Sequence, residues 1–172
     1  MTIRRAGIVV LLAGVTALLL AASASSTPST DPALCSHSGW AHVQTDHGGV
    51  FTSERACLKY VSKGGSLYSP RLTSVLFTVN CATGVVDYGI FGSGFHSGAV
   101  VTLTLHGLVW GDTLTNVRTT VAEDETGFDG AGAFILQPTV IIPTTGTTVI
   151  TLMARDAQGV NAVSSATASC PS

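Results

Sequence analysis

Charge is scarce in this sequence. Eight Lys and Arg stand against ten Asp and Glu in 172 residues, and no basic run occurs. Without a basic patch to displace counterions from phosphates, nucleic acid is excluded as a partner. Aromatic residues make up only 6% of the chain and are scattered, so no stacking surface for bases is legible. The signatures of common catalysts are missing too. There is no G-x-S-x-G elbow, Ser93 in FGSGF sits in the wrong frame, and no H-E-x-x-H occurs. Asp87, Ser93, His96 and His106 have the residue types of a nucleophilic triad, but two of them fall in turn-like stretches. Carboxylates cluster in one turn rather than facing each other across a cleft, which argues against glycoside hydrolysis. The chain reads as a non-enzyme, with no cofactor expected.

One long apolar run is present, at residues 6–22, preceded by Arg4 and Arg5 and followed by Ala22-Ser23-Ala24. A basic start, an apolar middle and a small-residue site describe a secretion signal, with cleavage expected before Ser25. The run is shorter than the roughly 20 residues a span needs, and no basic stop-transfer cluster follows, so no stable membrane span is expected after cleavage. The signal accounts for much of the mean hydropathy of +0.45. It carries two of the eight basic residues and none of the acidic ones, leaving six basic against ten acidic in the exported part.

Cys35, Cys57, Cys81 and Cys170 all lie in that exported part. An even count in an oxidising compartment is most simply two disulfides, and four cysteines allow three pairings. Residues 25–34 form a polar, proline-bearing lead read as a flexible linker. The stretch TSERACLKYVSKGG reads as a helix: Thr52 or Ser53 for its N-cap, Glu54 in the first turn, Lys59 and Lys63 in the last, Gly64-Gly65 as the stop. Cys57, Tyr60 and Val61 share one face of it, toward Cys35, Trp40 and Phe51. A Cys35–Cys57 bridge would close a loop worth on the order of 3 kcal/mol.

The set Cys35, Trp40, Phe51, Cys57, Tyr60, Val61, Gly64 and Gly65 resembles a small two-cysteine segment of many secreted proteins of high-GC Gram-positive bacteria. That resemblance implies a disulfide-closed unit near the mature N-terminus, over residues 35–68, and implies no activity.

From about residue 70 the pattern changes to period two. RLTSVLFTVN, GVVDYGIFGSGF, AVVTLTLHG, NVRTTVAED, GAFILQPTVII, TTVITLMARD and VNAVSSATASC are β-rich runs separated by turn residues, the spacing of an all-β sandwich. Val101, Leu103 and Leu105 alternate with Thr102 and Thr104, giving one buried and one wet face. The run around Val149–Met153 is apolar on both faces, as for a strand in the middle of a sheet. GSGFHSGAVVTLTL, followed by VITLMARDAQGVNAVSSATAS, resembles bacterial immunoglobulin-like modules. The resemblance implies a mainly β fold: an immunoglobulin-like antiparallel β-sandwich over residues 69–172, behind the short disulfide-closed helical segment. It also implies that first and last strands lie side by side, favouring the pairs Cys35–Cys57 and Cys81–Cys170.

His37, His42 and His47 lie between two cysteines, five residues apart, at the edge of zinc-ligand spacing. With Cys35 oxidised and TDHGG reading as a turn, they are expected as loop histidines rather than metal ligands. Glu123, Asp124, Glu125 and Asp129 do not match a calcium loop and read as a polar hairpin tip. Trp110 reads as a packing residue. The sequence therefore points to a secreted, non-enzymatic binding or adhesion module meeting an unspecified protein or cell-surface partner. The alternative is a small-ligand carrier, since GIFGSGF and RDAQGV also resemble the enediyne apoproteins.

Overall fold

Alternating Val, Leu, Ile and Thr along most of the chain make strands, and each strand buries one face by packing against a second sheet. The protein is described by a computed structural model over residues 28–123 and 132–171. The segment expected to be a secretion signal, and Asp124, Glu125 and Asp129, lie outside the described residues. Among those described, α1 spans Glu54–Val61, and nine strands follow: β1 Arg71–Asn80, β2 Val85–Ser93, β3 Val100–His106, β4 Val109–Trp110, β5 Val117–Val121, β6 Phe134–Leu136, β7 Thr139–Ile141, β8 Gly146–Asp156 and β9 Asn161–Cys170. Among the described residues no helix is long and apolar enough to cross a membrane.

The strands form two antiparallel sheets, a five-stranded one ordered β1-β2-β7-β4 with β6 also on β2, and a four-stranded one ordered β5-β3-β8-β9. The chain is mainly β, a sandwich of the immunoglobulin-like kind with one helical region in front. Its core alternates along the strands. Val86, Tyr88 and Ile90 of β2 face Val101, Leu103 and Leu105 of β3, with Ile150, Leu152 and Trp110 between or beside them. Trp110 is buried and carries the Arg118 guanidinium 5.7 Å above its ring. The GAFILQPTVII run forms two short strands instead of one. Pro138 cannot donate to a ladder, and its carbonyl accepts from Tyr88 N–H at 3.0 Å. β8 does lie inside its sheet, but of its apolar residues only Ile150, Leu152 and Ala154 are buried. Val149, on the opposite face, is exposed because nothing among the described residues covers that face.

Cys81 ends the β1 hairpin side and Cys170 ends β9, one on the edge of each sheet; their bridge, 5.4 Å between Cα atoms, ties the two edges together. The second bridge, Cys35–Cys57, lies in a separate small cluster of Cys35, Val43, Cys57 and Leu67, flanked by Trp40, Phe51, Tyr60 and Val61. Ser53 caps α1, its Oγ accepting from Ala56 N–H at 3.2 Å, and the helix ends at Val61, leaving Lys63 past its C-cap. The lead differs from the loose linker read from its polarity. Ser29 exchanges two backbone hydrogen bonds with Leu67 (3.0 and 2.8 Å), and Asp31 caps a 3-10 turn over Pro32–Cys35. Backbone pairing fastens this polar stretch from residue 29 onward.

The small unit sits on the sandwich through a side-chain amide and a close backbone approach. Gln44 pairs its side-chain amide with the backbone of Asn161, accepting N–H at 3.1 Å and donating to the carbonyl at 2.7 Å. Gly48 has φ +72°, and a Cβ there would lie 1.9 Å from the Gly159 carbonyl oxygen, so only glycine permits this approach.

Candidate functional site

Among the described residues, the histidines and the Asp87, Ser93 and His106 side chains singled out from sequence stand apart from one another. His37, His42 and His47 are exposed, and among the described residues no three His, Cys, Asp or Glu side chains converge on a metal position. Both cysteines flanking them are oxidised. Asp87 accepts from Thr78 Oγ1 on the outer face of the five-stranded sheet, while Ser93 closes the far end of β2. His106 ends β3 in the other sheet. His96 is held elsewhere, by a partner the sequence did not reveal.

That partner is Asp156, the only buried charged side chain among the described residues. Its Oδ1 accepts backbone N–H from Gln158, Gly159 and Val160 (3.1, 2.8 and 2.9 Å), closing the DAQG turn. Its Oδ2 accepts from the His96 backbone N–H at 3.1 Å and from Nδ1–H at 2.7 Å. The imidazole stacks on Tyr68, 4.2 Å between centroids. A buried carboxylate needs this many donors to offset its lost hydration. The constellation joins the β2–β3 turn, the β8–β9 turn and the small unit at one point, and both oxygens of the Asp156 carboxylate are satisfied within it. It is a structural clasp. A groove runs beside it, with volumes of about 400 and 520 Å³ in two adjoining sections that share His42, Val43, Pro70 and Arg71.

The outer faces of the two sheets differ. On the four-stranded sheet, exposed Val100, Val117, Val121, Val149 and Val163 stand among Thr and Ser. β-branched residues suit a strand whether or not anything binds there, so this face calls for no further explanation. The five-stranded sheet presents something built. β1 and β2 lose register between Leu76 and Thr78, so Phe77 is the extra residue of a β-bulge. A bulge re-aims a side chain, and Phe77 is thrown onto the outer face, 50% exposed. Its ring lies over Gly89: a Cβ at that position would stand 2.6 Å from Phe77 Cε2 and 3.3 Å from Phe91 Cε2. Glycine in mid-strand gives up packing and weakens the strand, and here its bare backbone is the floor on which two rings rest. Val75 pairs with Gly89 and is 38% exposed; Ile135 pairs with Phe91 and is 40% exposed. Arg71 lies beyond one end of this apolar strip and Asp87 beyond the other.

This surface was missed from sequence. RLTSVLFTVN reads as an uninterrupted strand, and the departure from alternation at Phe77-Thr78 was the one available signal. The buried tyrosines follow ordinary physics: burial pushes the Tyr88 phenol up, opposed by nearby Ser74, and burial likewise raises Tyr68 and Tyr60.

Comparison of the chain with protein-family models, with curated proteins and with solved structures found no match. Fold and surface together define the class: a disulfide-braced antiparallel β-sandwich with an aromatic strip on one sheet.

Proposed function

We propose that this chain is a secreted, non-enzymatic binding or adhesion module working outside the cell, and that the outer face of its five-stranded sheet makes the contact. The observation that carries the reading is the strip of Val75, Phe77, Phe91 and Ile135 laid over Gly89. A half-exposed Phe77 beside the partly buried Phe91, supported by a bulge and a bare glycine, is apolar area held ready for a partner. A phenylalanine buries 150–250 Å², so covering the exposed half of Phe77 removes about 100 Å² from water, worth on the order of 2 kcal/mol or about thirtyfold in affinity. Export is supported by the residues 1–24 pattern and by the two disulfides, which persist in oxidising compartments.

The test is retention of chain 25–172 on cell-wall and host-surface preparations, compared with Phe77→Ser. Retention that falls at least tenfold in the variant supports the reading. Equal retention of both proteins, or turnover of a substrate in a broad hydrolase panel, overturns it.

A further inference from the structure

The geometry points to a second copy of this chain as the partner of that strip, the two five-stranded sheets packing face to face about a two-fold axis. This inference rests on the reading just given and names its partner.

The register of β1 on β2 sets out the outer face in levels: Arg71 beside Ser93, Thr73 beside Phe91, Val75 beside Gly89, then bulged Phe77, then Thr78 beside Asp87. The midpoint between Arg71 and Asp87 falls between the Phe91 and Gly89 levels. A two-fold axis there, in the plane of the face and perpendicular to the strands, reverses the order of levels in the second copy. Arg71 of one copy then stands over the level of Asp87 of the other, twice. The Phe91 level meets the level of Val75 and Gly89, where Phe77 lies, also twice.

The lateral offset between β1 and β2 is about 4.8 Å, within the reach of an arginine side chain. Neither Arg71 nor Asp87 is in an ion pair with another described residue. One end of the strip is positive, the other negative, and the apolar residues lie between them. That arrangement is self-complementary under a two-fold operation, the requirement for an isologous interface. A partner of one charge sign would meet one matched end and one opposed end.

β1 and β2 run for ten and nine residues, with β6 and β7 both along the other edge of β2; three strand widths at about 4.8 Å by ten residues at about 3.3 Å offer at most on the order of 500 Å² per copy. An interface of that size makes a weak, reversible dimer.

Sedimentation equilibrium of chain 25–172, at concentrations up to about 500 µM, reads the association directly. The wild type is expected to dimerise. Phe77→Ser, Arg71→Glu and Asp87→Lys are each expected to raise the dissociation constant at least tenfold. The double variant Arg71→Glu with Asp87→Lys is expected to return to within threefold of wild type, because the swapped charges again face each other. All three substituted positions lie on the surface, and unchanged thermal midpoints verify that each of the four variant proteins is folded. A wild type that stays monomeric, or a dimer indifferent to both single charge changes, overturns self-pairing. A double variant as weak as either single does the same. A monomer still retained on surfaces through Phe77 would leave the binding reading standing and remove only this partner. A monomer with no Phe77-dependent retention removes both.

Discussion

Replacing Asp156 by alanine tests whether the clasp between His96 and the β8–β9 turn holds the molecule together. The five hydrogen bonds at this carboxylate are not equivalent. Gln158 is exposed, and water can replace its bond. Gly159 N–H keeps a second acceptor, the Asp156 backbone carbonyl at 3.1 Å. Val160 is fully buried, and its N–H has no other acceptor among the described residues, so it is left orphaned at a cost of about 1–3 kcal/mol. The partly buried His96 N–H adds about 1 kcal/mol, and the imidazole loses its anchor. The sum is about 3–4 kcal/mol. At roughly 3 °C per kcal/mol for a chain of this size, the midpoint should fall by about 10 °C. Asp156→Asn keeps an oxygen for the turn but turns an amide N–H₂ toward the His96 N–H, so roughly half that loss is expected. Urea and thermal denaturation under non-reducing conditions measure both. An Asp156→Ala protein within about 1 kcal/mol of wild type would refute the reasoning, since an orphaned buried N–H alone costs that much.

Removing the Cys81–Cys170 bridge should destabilise more than removing Cys35–Cys57. Their sequence separations are 89 and 22, which correspond to about 4.5 and 3 kcal/mol of loop entropy; paired Cys→Ser variants in urea read the order, and a reversed order counts against it. Tyr88→Phe should change stability at neutral pH by less than about 1 kcal/mol, because the buried hydroxyl has no well-formed hydrogen bond. The same substitution should lessen alkaline destabilisation. A phenol raised above its ordinary 10.0 stabilises the fold below pH 10 and loses that contribution as pH rises above it, so urea midpoints between pH 8 and 11 should fall less in the variant. Gly48→Ala should loosen the small unit, since its methyl would meet the Gly159 carbonyl; the predicted loss is roughly 2 kcal/mol, with faster amide exchange around Gln44, and unchanged exchange would contradict the contact.

The sandwich was legible because strand alternation is local: Val101, Leu103 and Leu105 declare their buried face within six residues. The helix was legible for the same reason, with Ser53 and Glu54 marking its start. The pairing of the cysteines followed once a sandwich brought first and last strands together. The clasp could not be read, since His96 and Asp156 are sixty residues apart and each looks like an ordinary turn residue. Nor could the aromatic strip, which depends on a register slip of one residue against a glycine on the neighbouring strand. Sequence periodicity reports which face a residue occupies and says nothing of what stands opposite.

Drawn taut between residues 28 and 171, this chain would not unravel in order. Tension entering near residue 28 crosses from Cys35 to Cys57, follows α1 and β1 to Cys81, and leaves through Cys170. Most of the sandwich hangs off that route and bears none of the pull. The route contains about 35 residues, so its greatest length is about 120 Å, against nearly 500 Å for residues 28–171 without crosslinks. β1, drawn lengthwise against β2, would resist in shear, and reduction of the thiols would convert a short strap into a long tether.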